Sequence, residues 1–214
     1  MKKSNLEINR NNGKHQVEEQ RDSILGAAEK LFLEKGLDQV KMIDIAAKAG
    51  ITKITLYRYF PNKDEIAVAI HARVLNRMAT LVPPEGLEYT LENAKQVIRL
   101  VIRNFDRLRD AYRYMGMFDS LYLDHPTNSL TEWTKGKLPP LLSFQLTARD
   151  DLQDLTEFNQ VNMVMSSTTW FLEKLAMRGE LTWSAGDVLL ETHLQLFEEM
   201  TLGYIDTLIQ ARSG

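Results

Sequence analysis

The sequence predicts an all-α fold. Apolar residues recur at three- and four-residue spacing through nearly every segment, and no segment sustains the strict alternation of a half-buried strand. Glycine and proline clusters punctuate the chain between these periodic stretches. The pattern divides 214 residues into three parts. Residues 1–17 form a polar, asparagine-rich arm expected to be disordered, residues 18–66 a small three-helix unit, and residues 67–214 a larger helical domain joined to it by a continuous helix.

The first helix is predicted over Glu18–Lys35, with Ile24, Ala27, Ala28, Leu31 and Phe32 on one face and Gly36 as its stop. Met42, Ile45, Ala46 and Ala49 stripe a second, short helix that Gly50 ends by allowing a left-handed backbone. Thr52 caps a third helix whose buried side is Leu56, Tyr59 and Phe60, with Ile51 and Ile54 fastening the turn and Pro61 stopping it. Asn62 caps a fourth, which opens with Lys63, Asp64 and Glu65 and continues through Ile66, Ile70, Val74 and Met78. Val82-Pro83-Pro84-Glu85-Gly86 excludes further helix. Helical patterns then cover Tyr89 to about Arg109 and the segment carrying Tyr112 to Tyr122; Leu141 to Arg149 is a further helical stretch. Two long helices follow, Leu152 to Arg178 and Ser184 to Arg212, the second capped by Ser184 with Asp187 in reciprocal position.

Two short helices joined by a few residues around a glycine have the shape of a helix-turn-helix, whose second helix enters a major groove. The outward positions of that helix are Lys53, Thr55, Tyr57 and Arg58, able to donate to phosphates and base edges. The chain as a whole has formal charge −3, yet Lys41 to Lys63 holds five basic residues (Lys41, Lys48, Lys53, Arg58, Lys63) against one acid, Asp44. A basic patch on an acidic molecule favours duplex DNA locally and opposes indiscriminate binding elsewhere.

Ile45-Ala46, Gly50, Thr52, Thr55-Leu56-Tyr57, Tyr59-Phe60 and Lys63 resemble the DNA-binding domain of the TetR/AcrR family of transcriptional regulators. The resemblance covers roughly Gln20 to Ile70. It implies a dimer that binds a palindromic double-stranded DNA operator and is released when a small apolar or amphipathic molecule occupies the larger helical domain. If the hairpin reads DNA, Lys53, Ile54, Thr55 and Arg58 are expected to carry specificity and Lys41, Thr52, Tyr57, Tyr59 and Lys63 positioning. Two positions depart from the family form. Lys41 stands where the family commonly has a capping threonine, and a lysine cannot accept an amide hydrogen. Ile54 stands where glycine or alanine is common, so a branched apolar side chain faces the groove.

Past Ile70 no motif carries over. Aromatic, methionine and polar side chains in the middle of the larger domain are candidates to line an effector site: Arg103, Tyr112, Met115, Phe118, Tyr122, Trp133, Phe158, Asn159, Asn162, Met163 and Trp170. The last two helices carry apolar residues around more than one face, which predicts a four-helix interface between two copies, with Met165, Val188, Thr192, Leu196, Met200 and Gly203 in it. The resemblance implies a dimer built the same way. With no cysteine, four scattered histidines and no glycine-rich phosphate loop, neither an enzyme nor a metal or cofactor site is expected. Two lysines without an apolar run behind them do not fit a signal peptide, and no run is long enough to span a membrane, so a cytoplasmic protein is expected. The competing reading is a helical interaction module whose basic hairpin meets an acidic protein.

Overall fold

The computed structural model describes residues 2–81, 90–122, 155–177 and 187–213. Among them the chain is all-helical, with eight helices: α1 (Lys2–Lys35), α2 (Met42–Lys48), α3 (Lys53–Tyr59), α4 (Lys63–Ala79), α5 (Leu91–Arg103), α6 (Phe105–Tyr122), α7 (Leu155–Met177) and α8 (Asp187–Ser213). Two compact units are resolved, Met1–His71 and Ala72–Gly214, and their junction falls within α4. The predicted loop at 82–86, the helix at 141–149 and the Ser184 cap lie outside the described residues.

In the first unit, α1 gives Ile24, Leu25, Ala28, Leu31 and Phe32 to a core completed by Leu37, Val40, Ile45, Ala46, Leu56, Phe60, Ile66 and Ile70. Two glycines set its corners. Gly36 has φ 89° and a Cβ there would meet Asp38 Oδ1 at 2.9 Å, while Gly50 has φ 67°, so both turns use backbone that L side chains rarely adopt. The predicted caps form: Thr52 Oγ1 accepts the Thr55 N–H at 3.1 Å, and Asn62 Oδ1 accepts the Glu65 N–H at 2.8 Å. At α2 the capping interaction is reversed, with the Asp44 carboxylate accepting the Lys41 backbone N–H at 2.9 Å, so an acid inside the helix replaces the missing hydroxyl before it.

One difference concerns residues 2–17, where α1 continues as helix instead of ending as a loose arm near Glu18. The packed turns from Ser23 to Phe32 nucleate the helix and spare its extension the cost of a new nucleus, which carries it through a segment whose four asparagines and one glycine are poor helix formers. Polar composition argues against burial there, not against helix.

In the second unit α6 lies along α7, and α5 packs against both α7 and α8. Gly116 permits the close approach of α6 and α7: a Cβ there would meet Met177 Cγ at 3.0 Å. Aromatic contacts run down α6, with Phe105 stacked on Tyr112 (6.0 Å), Tyr114 on Phe118 (6.4 Å), and Phe118 tilted against Tyr122 (4.7 Å). Phe171 and Phe197 stack at 3.9 Å and join α7 to α8. Glu157 ties three helices, accepting the Leu91 N–H at 2.9 Å and pairing with Arg212 at 3.2 Å. The predicted helix to Arg109 breaks earlier, at Asn104, whose side-chain amide donates to the Leu100 carbonyl at 2.8 Å and holds the last turn of α5 closed.

Candidate functional site

Helix α3 presents its face through a short, capped frame. Leu56 is its buried anchor and Phe60 follows immediately, so the positions between them point away from the core. Lys53 and Arg58 are exposed, Tyr57 is 43% exposed, and Ile54 is 86% exposed. Ile54 therefore does not fasten the turn. It lies on the outward side, where the register of a 3.6-residue helix puts a residue two before Leu56. Thr55 is half-buried, its hydroxyl 2.9 Å from that of Thr52, which commits part of its hydrogen-bonding capacity to the cap. The cations lie over aromatic rings: Lys53 Nζ is 5.6 Å from the Tyr57 ring and the Arg58 guanidinium 5.5 Å from the Tyr59 ring. The surface is a basic, donor-rich ridge with one apolar projection, suited to phosphates, base edges and a thymine methyl.

Lys41 is exposed at the start of α2 and Thr52 at the start of α3. Lys63 behaves differently. Its Nζ donates to the Leu37 carbonyl at 2.7 Å and the Asp38 carbonyl at 3.2 Å, so it clamps the α1–α2 connection onto the start of α4. Arg21, not singled out in the sequence, lies 4.9 Å above the Phe60 ring and supports the end of α3 from α1. Neither contact is periodic or local in sequence. Lys63 meets carbonyls some 25 residues away, which spacing rules do not address.

The effector candidates separate into groups. Tyr112, Met115 and Phe118 are buried in the α6 core, while Tyr122, Phe158 and Asn162 are half-buried. Asn159, Met163 and Trp170 are on the exposed side of α7, and Trp170 is 62% exposed. Arg103 is exposed and pairs with Glu198 at 3.3 Å. Trp133 lies outside the described residues. Of the interface candidates, Thr192, Leu196, Met200 and Gly203 share one face of α8 and all are exposed, Met200 by 73%. Met165 is half-buried, and the Val188 side chain lies outside the described residues. The exposed apolar face continues to Tyr204 on α8, and α7 presents Met163, Trp170 and Met177 at seven-residue spacing.

Two ionisable groups escaped the sequence reading. Glu173 on α7 is buried near Tyr112; burial, reinforced by the Asp119 carboxylate and opposed by Lys174, pushes its carboxyl up to about 8, and its charge in turn pushes the Tyr112 phenol upward, secondary to that group's own burial. The signal was the position of Glu173 inside the run Trp170-Phe171-Leu172-Glu173-Lys174-Leu175-Ala176, but an acid beside a lysine on a helix ordinarily reads as a solvated edge. His71 on α4 is buried, and that burial pushes its imidazole down to about 4.

Residues 24–70 match the family model for bacterial regulatory proteins of the tetR family. Among curated proteins, the chain is similar to the HTH-type transcriptional activator FasR of Mycolicibacterium smegmatis, 29% identical over 119 residues covering 55% of this chain and 54% of FasR. It is also similar to the HTH-type transcriptional regulator HbdR of Aromatoleum sp., 33% identical over 44% of this chain and 42% of that protein. The HTH-type transcriptional repressor BepR of Brucella suis is 40% identical over 60 residues, 28% of this chain and 29% of BepR. The matches thus span about half the length of the first relatives, or less. In fold, the chain is similar to the fatty acid degradation regulator FadR from Bacillus halodurans (TM-score 0.52, 20% identical, 86% of this chain and 95% of that one). It is likewise similar to a TetR family transcription regulator from Marinobacter aquaeolei (TM-score 0.56, 17% identical, 89% and 97%). The glycine-cornered hairpin, the capped α3 and its basic outward face all fall within the segment, residues 24–70, that matches the tetR family model.

Proposed function

We propose that the protein is a cytoplasmic, ligand-responsive repressor that binds a palindromic operator as a homodimer and is released by a small apolar or amphipathic molecule. The observation that carries the reading is the outward face of α3, where Lys53, Ile54, Tyr57 and Arg58 stand clear of a core anchored by Leu56 and Phe60. Arg58 and Ile54 read bases, Lys53 and Tyr57 engage base edges or flanking phosphates, and Thr52, Thr55 and Lys63 hold the helix in the presenting geometry. Lys41 meets a phosphate beside α2.

Dimerisation in this reading uses the exposed face of α8 through Thr192, Leu196, Met200 and Gly203, extended by Met163, Trp170 and Met177 on α7. Large apolar side chains left open at regular helical spacing on the two long helices support a four-helix interface between copies. Met163 and Trp170 then belong to the contact between subunits. The effector site is centred on Tyr112, Met115, Phe118 and Tyr122, with Asn162 as a polar anchor. Occupancy acts by favouring one of two conformations, through its different affinity for them, and α4 carries the change because the chain passes between the units along it.

The test is Arg58→Ala. On the duplex the intact protein prefers, affinity should fall about 5- to 150-fold, the equivalent of roughly 1–3 kcal/mol for a bidentate base contact, while affinity for scrambled duplex changes little. An equal loss on both would make Arg58 a phosphate contact, and no loss on either would remove α3 as the reading helix.

A further inference from the structure

We propose that Ile54 reads the 5-methyl group of a thymine in each half-site, close to the base pair met by Arg58, so that the operator is selected by an apolar contact as well as by hydrogen bonds. This rests on the operator-reading function above and deepens it, naming the chemical group that one side chain of α3 requires. Ile54 is 86% exposed, more than any other large apolar side chain among the described residues. It is the second residue of α3, in the part of a recognition helix that reaches base edges.

An isolated apolar residue on a surface is ordinary; the neighbours make this one different. Lys53, Tyr57 and Arg58 surround it with exposed groups that donate hydrogen bonds. Thr55 is half-buried, and its hydroxyl lies 2.9 Å from that of Thr52 within the cap. When this face closes on a duplex the donors find acceptors on phosphates and base edges, but Ile54 gains only by meeting something apolar. In the major groove that group is the thymine methyl, where guanine, adenine and cytosine are marked by donors and acceptors. The two flanking cations favour a polyanion over an apolar protein surface as the occupant. A β-branched side chain in a helix keeps essentially one χ1 rotamer, so contact freezes little further motion of Ile54. Residues four apart lie on one helix face, about 6 Å apart along the axis, and that relation joins Ile54 to Arg58. At roughly 3.4 Å per base pair, the thymine and the base pair met by Arg58 fall within about three base pairs of each other.

The experiment takes the duplex that the intact chain enriches from a random pool and replaces its thymines with deoxyuridine, one position at a time and in both half-sites together. Deoxyuridine pairs as thymine does and lacks only the methyl group. At one thymine per half-site, within about three base pairs of the position whose preference Arg58→Ala relaxes, the intact chain should bind about 15-fold more weakly, near 4-fold for each methyl lost. Ile54→Ala should bind the thymine duplex more weakly and treat thymine and deoxyuridine there alike. Because Ile54 is exposed, the variant loses no core contact; unchanged helicity and unchanged affinity for scrambled duplex confirm that it is folded. Equal affinity for every deoxyuridine duplex, an enriched site without thymine, or a methyl effect that persists in Ile54→Ala would overturn this inference while leaving the reading function standing. Failure of the intact chain to enrich any duplex would remove both.

Discussion

At the residue scale, the local signals were legible and the distant ones were not. Gly36, Gly50, Thr52 and Asn62 act within four residues of themselves, so their types and positions disclosed the two turns and two caps that the structure contains. Lys63 did not disclose its role, because its partners are the carbonyls of Leu37 and Asp38. Lys63→Met should accordingly lower the unfolding free energy by about 1–2 kcal/mol, the scale of two lost hydrogen bonds to an ammonium. The salt slope of duplex binding should stay unchanged; a slope reduced by one contact would mean that this lysine reaches a phosphate. The two buried ionisable groups predict opposite pH trends. His71, pushed down to about 4, costs stability as pH falls through its unfolded value near 6.5, because only the unfolded chain takes up the proton; the loss levels off near 4 at roughly 3 kcal/mol. Glu173, pushed up to about 8, costs stability as pH rises through 4.5, because only the unfolded chain releases the proton, and the loss levels off near 8. Denaturant titrations across pH 4 to 8.5 should show Glu173→Gln gaining on the intact chain with rising pH, on the order of 4–5 kcal/mol by pH 8. His71→Leu should flatten the acid limb. A variant with the same pH profile as the intact chain would show that the group it replaces is not the one titrating.

At the element scale, periodicity identified α2 to α4 and the long helices but misjudged where helices begin and end. α1 runs on to Lys2, well before the predicted start near Glu18, and α5 ends at Asn104, whose backbone and side-chain N–H groups both donate to the Leu100 carbonyl. The apolar surplus on α7 and α8 was visible in the sequence, but which residues faced out was not, since buried and exposed apolar stripes share the same spacing. The structure divides them: Val161, Val164, Leu172 and Leu175 are buried, while Met163, Trp170, Leu196 and Met200 are open. The proposed interface predicts that the intact chain sediments as a dimer and that Leu196→Glu with Met200→Glu sediments as a monomer, with helicity retained because neither side chain is buried. An unchanged dimer would move the interface to another face.

At the scale of the whole molecule, the sequence disclosed a helical fold, which the described residues have throughout, with a helix-turn-helix hairpin that the family model covers. The effector region was the least legible, because an apolar side chain that lines a cavity and one that fills a core obey the same periodicity; Tyr112 and Phe118 could serve either purpose on sequence grounds alone. The central claim, that two copies of α3 read one operator, has a geometric consequence. Paired recognition helices on a symmetric dimer meet successive major grooves about one helical turn apart, roughly 34–36 Å. The direct measurement is selection of duplexes from a random pool by the intact protein, followed by sequencing of the bound fraction. The account predicts an inverted repeat with half-site centres about 10–11 base pairs apart or a multiple of that turn, its enrichment abolished by Arg58→Ala. A bound fraction no different from the starting pool, or an enriched site without two-fold symmetry, would contradict it.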